Sequence, residues 1–166
     1  MAGRVFVAMS GGIDSSVSAY LLKEAGYTVT GIHFETVLSS GSSPETDHSS
    51  LEQTCRLLGI PLYYLRLETE FKTRVIDYFC FEYARGRTPN PCIRCNRNIK
   101  FGLLLDRVVE MGGDYLATGH YARIESAQGV YRLLKGVDPL KDQSYFLYVL
   151  GQKELSRVLF PVGGRD

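Results

Sequence analysis

The chain opens on a short apolar run, "RVFVAM", which stops at a pair of glycines before apolar positions resume at helical spacing. A run of this length bounded by turn residues predicts a buried strand, and Val17, Leu21, Leu22 and Ala25 predict a helix over 14–25 that buries those four. Gly26 ends it. "YTVTGIHF" predicts a second strand, and the polar "SSGSSPETD" with Pro44 predicts a loop. Leu51, Cys55 and Leu58 then mark a helix stopped by Gly59 ahead of Pro61. "PLYYLRL" predicts a third strand. Val75, Ile76, Phe79, Cys80 and Tyr83 share a helical face, and after a loop a helix over 99–111 leads into the strand "YLAT". Strands alternating with helices imply an α/β fold with a doubly wound parallel sheet.

Beyond that strand the pattern changes. "YARIES" and "VYRLLK", separated by "AQG", predict a hairpin, and "KDQSYFLYVL" predicts an apolar helical segment. The chain stops at "FPVGGRD", turn residues after an apolar anchor, so a further element is expected beyond it.

Composition narrows the class without choosing the function. A chain of 166 residues, 45% hydrophobic and 22% charged, is long enough for a globular core, and a net charge of +1 argues against a protein that coats nucleic acid. No apolar run reaches membrane-spanning length and the N-terminus lacks a signal-peptide core, so a cytoplasmic protein without a membrane partner is expected. Four cysteines in that setting are expected to be reduced.

The chemistry begins at "VAMSGGIDSS". In a parallel sheet, ligands bind at the carboxyl ends of strands. Glycines there, leading into a helix N-terminus, offer backbone N–H groups to an anion, with Ser10, Ser15 and Ser16 as added hydroxyl donors. The loop has neither the lysine of a Walker loop nor GxGxxG spacing. A serine-capped helix after a tight turn is the plain alternative.

Here the motifs carry a resemblance. "SGGIDSS" resembles the PP-loop of ATP pyrophosphatases. With "GRTPNPCIRCNRNIKFG", "ATGHYARI" and "KDQSYFLYVLGQKELSRVLFPVG" in that order, nearly the whole chain is similar to the N-terminal part of the tRNA 2-thiouridylase family, called MnmA in bacteria. The resemblance implies ATP-dependent adenylation of the C2 oxygen of a wobble uridine, then sulfur transfer to give 2-thiouridine. Its partners would be tRNA and a sulfur-donor protein or sulfide source. It places a PP-loop ATP-binding domain at 1–120, and at 121–166 the hairpin and the start of a tRNA-contacting region. Ala8, Met9, Ser10, Gly11, Gly12, Ile13, Asp14, Ser15, Phe34 and Gly119 would bind ATP, with Asp14 near Mg2+ and counted as catalytic. Asp14 also suits a helix N-cap, and Phe34 also suits the core. His120, Lys141, Asp142 and Gln143 would contact tRNA; a histidine after a buried strand is also a common structural residue.

The basic segment supplies the second half. Arg85, Arg87, Arg94, Arg97 and Lys100 occur without an acid between them, a patch suited to tRNA phosphates or simply a solvated loop. Pro89 and Pro91 stiffen a turn that would hold Asn90 toward a base. By resemblance Asn90, Pro91 and Cys92 meet the target base and Cys95 is the nucleophile, whose cationic neighbours should favour the thiolate. Cys55 and Cys80 fall on apolar helix faces and are expected in the core. The family commonly has Asp where Cys92 stands. The resulting C-x-x-C spacing leaves open a redox pair, half a zinc site, or two ligands of a [4Fe-4S] cluster completed by a later cysteine. The resemblance also implies a disulfide bond, and its usual second catalytic cysteine lies beyond this chain. Two rivals remain: another PP-loop ATP pyrophosphatase, such as a lysidine synthetase or amidating ligase, and a non-catalytic nucleotide-binding module.

Overall fold

The computed structural model describes residues 3–36 and 48–165. β1 (Arg4–Ala8), α1 (Ile13–Glu24), β2 (Thr28–Glu35), α2 (Ser49–Leu58) and β3 (Leu62–Arg66) alternate as the apolar pattern predicts. The polar loop with Pro44 lies outside the described residues. A long helical stretch follows in three parts: α3 (Glu68–Phe71), a π-helical turn at Lys72–Ile76, and α4 (Asp77–Ala84). A second runs from α5 (Pro91–Cys95) through π-helical Asn96–Leu104 into α6 (Leu105–Glu110) and on to β4 (Tyr115–Ala117). After the hairpin β5 (Ala122–Ala127) and β6 (Val130–Lys135) come a 3-10 turn at Ser144–Phe146, α7 (Gln152–Leu155) and β7 (Val158–Leu159).

The sheet order is β3-β2-β1-β4-β7, with every pairing parallel. Successive side chains of a strand point to opposite faces, and β1 shows it directly. Val5 and Val7 pack with Ala19, Leu22, Leu51 and Cys55 on one side, while Phe6 packs with Phe101, Leu104, Leu105 and Val108 on the other. Helices therefore cover both faces of an α/β sheet. Leu147, Leu150, Leu155, Val158 and Phe160 join the cluster of Phe6, so residues on both sides of position 120 share one core.

Four details differ from the sequence reading. The buried residues of α1 are Ser15, Ser18, Ala19 and Leu22, while Val17 and Ala25 are exposed. Small residues let the helix lie close on the sheet, and Ser18 can be buried because its hydroxyl donates to the Asp14 carbonyl at 2.8 Å. Cys80 is exposed rather than core. "KDQSYFLYVL" forms a 3-10 turn and loops instead of a helix, because the Asp142 carboxylate accepts from Gly136 N (2.8 Å), Ser144 N (3.2 Å) and Ser144 Oγ (2.9 Å) and so offers the backbone an alternative to helix. The expected loop before the sixth helix is itself helical from Pro91 onward.

Candidate active site

The carboxyl ends of β1, β2 and β4 border a cleft of about 330 Å³ lined by Ala8, Met9, Ser10, Asp14, Ser15, His33, Phe34, Lys100, Thr118, Gly119, His120 and Gln143. Met9 and Ser10 before the β1–α1 turn, and Asp14 and Ser15 after it, border the cleft. Gly11 takes a φ of +81°, a conformation that favours glycine, and Gly12 caps α1 without a side chain. Ser15 Oγ and Ser16 Oγ both donate to the Gly12 carbonyl at 3.0 Å, while Gly12 N donates to Ser10 Oγ at 3.3 Å. The hydroxyls expected to reach an anion thus brace the loop. The first-turn N–H groups of α1 remain as the donors for an anion.

Gly119 sits where a Cβ would lie 2.9 Å from the backbone carbon of Asp14 and from Ser15 N. Its missing side chain admits the start of α1 against the end of β4. Asp14 is not the N-cap; it projects from the first turn, exposed, and accepts a hydrogen bond from Tyr121 Oη at 2.9 Å. Tyr121 N donates to Gln143 Oε1 (3.2 Å), Gln143 N donates to the Tyr121 carbonyl (2.9 Å), and Lys141 Nζ lies 5.1 Å from the Tyr121 ring centre. Asp14, Lys141, Asp142 and Gln143 consequently border one further concavity beside the cleft. Burial would push the Asp142 carboxyl up, but hydrogen bonds from Gly136 and Ser144 and the charge of Lys135 hold it below the usual carboxylate range.

His120 packs against Phe101 and Phe160, with Nδ1 2.6 Å from Thr118 Oγ1. Burial, helped by the charge of Lys100, pushes its pKa down to about 3, so at neutral pH it is an uncharged wall of the cleft. His33, unassigned by sequence, also lines the cleft and donates from Nδ1 to the Met9 carbonyl at 2.7 Å. Lys100 was legible only as part of a basic run. Gly11, Gly12 and Ile13 form the turn itself and do not line the cleft, Ile13 being 81% exposed.

No cysteine lines the cleft itself. Asn90 caps α5, its Oδ1 accepting from Cys92 N (2.9 Å) and Ile93 N (3.4 Å), and Pro91 takes the first helical position. That oxygen is occupied by the helix. Cys92 and Cys95, three apart on α5, share a side; Cys92 is exposed, while Cys95 packs beside Leu67, Phe71, Val75 and Ile99. Burial pushes the Cys95 thiol up, Lys100 pulls it down and Cys92 pushes it up, with a net rise that corrects the expected thiolate character. All four cysteines are free, and no disulfide joins any two of them. The basic patch is also smaller than its sequence suggests: Arg87 pairs with Glu82 at 2.8 Å, and Arg94 lies 3.6 Å above the Tyr78 ring. Phe34 connects the two regions, because it lines the cleft and also packs in the cluster that holds Cys95.

Residues 3–166 match the model of a family described as the tRNA methyl transferase HUP domain. The chain belongs to this family. Over 97% of its length the HUP domain is 51% identical to 47% of a tRNA-specific 2-thiouridylase MnmA from Geobacter metallireducens. Over 96% it is 48% identical to 44% of a tRNA-specific 2-thiouridylase MnmA 2 from Geobacillus kaustophilus. It thus spans about half the length of the curated relatives it matches. The HUP fold is also that of a solved "predicted subunit of tRNA methyltransferase" from Methanocaldococcus jannaschii, with a TM-score of 0.61 and 21% identity over 99% of this chain and 70% of that one. No helix among the described residues is long and apolar enough to cross a membrane.

Proposed function

We propose that this HUP domain is the nucleotide-binding half of a tRNA-uridine 2-sulfurtransferase. The observation that carries the reading is the glycine turn and free α1 N-terminus at the carboxyl end of β1, opening into a cleft walled by Phe34 and Gly119. That is a cradle for a polyphosphate with room for an attached base. The names of the family and of the relatives differ in the group transferred, methyl against sulfur. A polyphosphate cradle fits activation by ATP, which thiolation requires: uridine O2 attacks the α-phosphorus, the bond to the β-phosphate oxygen breaks, and pyrophosphate departs. Sulfur then adds at C2, and the oxygen leaves with AMP.

In this reading the α1 N–H groups hold the departing phosphates. Asp14 fits magnesium, since one exposed carboxylate together with substrate phosphates is an ordinary setting for that ion, which supplies neutralisation of the leaving charge. Cys95 serves as the nucleophile of the sulfur stage: a donor protein carrying a persulfide passes its outer sulfur to the Cys95 thiol by exchange, and that sulfur bonds C2 as AMP leaves. A second thiol then attacks the Cys95 sulfur, breaking the S–S bond to leave sulfur on C2 and a disulfide; free sulfide as the source would add to C2 directly. Among the described residues only Cys92 and Cys95 have the spacing of a ligand pair and no group of three His, Cys, Asp or Glu side chains is placed to hold a metal, so a [4Fe-4S] cluster would take its third ligand from a further cysteine outside them. The tRNA reaches the site over Arg97 and the concavity of Lys141 and Gln143, and cytoplasmic action follows from that substrate.

The chain should bind Mg·ATP by calorimetry and form no 2-thiouridine by itself. Joined to a C-terminal half such as its relatives carry, it should thiolate tRNA, and Cys95→Ser should remove the product in nucleoside mass spectrometry. A folded chain without ATP affinity overturns the reading.

A further inference from the structure

A Walker-type loop carries its own lysine directly after its last glycine, and "SGGIDSS" has none. The cation comes from a distant part of the sequence. Among the described residues lining the cleft, Lys100 is the only Lys or Arg and Asp14 the only acid. Lys100 is half-buried and has no ion-pair partner among the described residues. Asp14 does not hold it: no ion pair joins the two among the described residues, and the hydrogen bond that carboxylate accepts comes from Tyr121. A half-buried ammonium facing an open cleft is satisfied by an anion that enters it.

The helix geometry gives a second, independent observation. Cys95 ends α5 and Lys100 lies in the π-helical stretch Asn96–Leu104. Five residues span about 1.4 turns of an α-helix, which would put the two on opposite sides. In a π-helix, with its i to i+5 hydrogen bonds, five residues close roughly one turn. The π register turns the two positions closer to one side than an α register would; Lys100 lines the cleft, and Cys95 packs against the cluster of Leu67, Phe71, Val75 and Ile99. The charge of Lys100 is felt at both Cys95 and His120, which agrees with a position between the thiol and the cleft.

We propose that Lys100 is a further catalytic residue, its ammonium contacting the α-phosphate of the bound nucleotide from the side of the cleft that adjoins Cys95. This rests on the ATP-dependent reading above. In the first step negative charge builds on the oxygens of the α-phosphorus as its bond to the pyrophosphate oxygen breaks. In the second the same phosphate leaves with the uridine oxygen as AMP. One fixed cation at that phosphate stabilises both departures and needs no further reactant.

The test compares Lys100→Met and Lys100→Arg with the unsubstituted chain, using ATP, AMP and adenosine as calorimetric probes. Lys100→Met should weaken ATP and AMP about tenfold or more, the scale of a lost charge-assisted hydrogen bond, while adenosine affinity stays the same. Lys100→Arg should recover most of the AMP affinity. Peptide mapping after a brief iodoacetamide pulse should show Cys95 alkylated more slowly in Lys100→Met, since the thiol loses its opposing charge. Unchanged AMP affinity, an equal loss for adenosine, or a loss for ATP alone overturns the α-phosphate contact while leaving the ATP reading in place. Absence of ATP binding in the unsubstituted chain overturns the ATP reading and the contact together.

Discussion

Tyr121 Oη donates to Asp14 Oδ1 at 2.9 Å across more than a hundred residues of sequence, tying the carboxylate of the phosphate loop to the segment that follows β4. The hydrogen bond and charge of Asp14 push the Tyr121 phenol up, with burial adding to the rise, so the phenol stays a donor at neutral pH. A carboxylate has several lone pairs, and one donor leaves the rest for a cation. Tyr121→Phe should therefore leave Mg·ATP affinity within about twofold, whereas Asp14→Ala should lower it at least about tenfold; calorimetry with and without magnesium checks both. Equal losses in the two variants would show that the Tyr121–Asp14 hydrogen bond, rather than the rest of the Asp14 carboxylate, matters to the nucleotide.

Gly119→Ala should be disproportionately harmful. Its Cβ would press on the backbone of Asp14 and Ser15, and backbone cannot rotate aside as a long side chain can. A cost of about 1–3 kcal/mol in urea unfolding is expected, together with weakened ATP binding, because the displaced atoms are the anion donors themselves. An ATP affinity unchanged in the folded variant would separate Gly119 from the site.

The lowered pKa of His120 sets a pH window. The unfolded chain takes up a proton below about 6.5 that the folded chain accepts only near pH 3, so stability should fall as pH drops through this interval and show no contribution from His120 above it. The loss is on the order of a few kcal/mol at the acid end. Chemical denaturation of the protein and of His120→Gln at pH 7 and pH 4.5 reads it, and an identical pH dependence in the variant would assign the effect to other groups.

Thiol reactivity should follow burial. Cys80 and Cys92 are exposed, whereas burial pushes the thiols of Cys55 and Cys95 up. Iodoacetamide at pH 7.5 followed by peptide mapping should mark Cys80 and Cys92 first and Cys55 last. Early modification of Cys95 would mean a more open environment for the proposed nucleophile than its packing describes.

Arg97→Glu should weaken tRNA association and reduce its salt dependence by about 0.9 in log–log slope for each phosphate that is no longer neutralised. Arg97 is exposed and without an ion-pair partner among the described residues. Arg94 is a poorer probe because its guanidinium lies over Tyr78 and its replacement also removes packing. An unaltered slope would remove the segment from the RNA-facing surface.

Most of the sheet could be read from the chain because the central strands carry apolar runs and the first two helices stop at glycines: Gly26 and Gly59 both take positive φ. β7 escaped because two residues make no pattern of their own, and Val158 and Leu159 are recognisable only by their pairing with Leu116 and Ala117. In the site, motif order pointed to the loop, Phe34 and Gly119, which border one cleft, while His120, expected at tRNA, lines that same cleft. Lys100 was hidden by the helical period itself. At α spacing it belongs to a different side from Cys95, and only the π-helical register brings them together. The burial of Cys95 was likewise invisible, since the residues that cover it, Leu67, Phe71 and Val75, come from another helix.

The central strand β1 pairs with β2 on one edge and β4 on the other, and β4 in turn waits for β7. A nascent chain emerging from a ribosome could complete the first pairing after about thirty-five residues, but β1 would keep an open edge until Tyr115–Ala117 arrived and β4 until Val158–Leu159 followed. Protease resistance during synthesis should therefore rise late and in one step. Truncation by a single strand at the far end would loosen the loop that stands at the beginning.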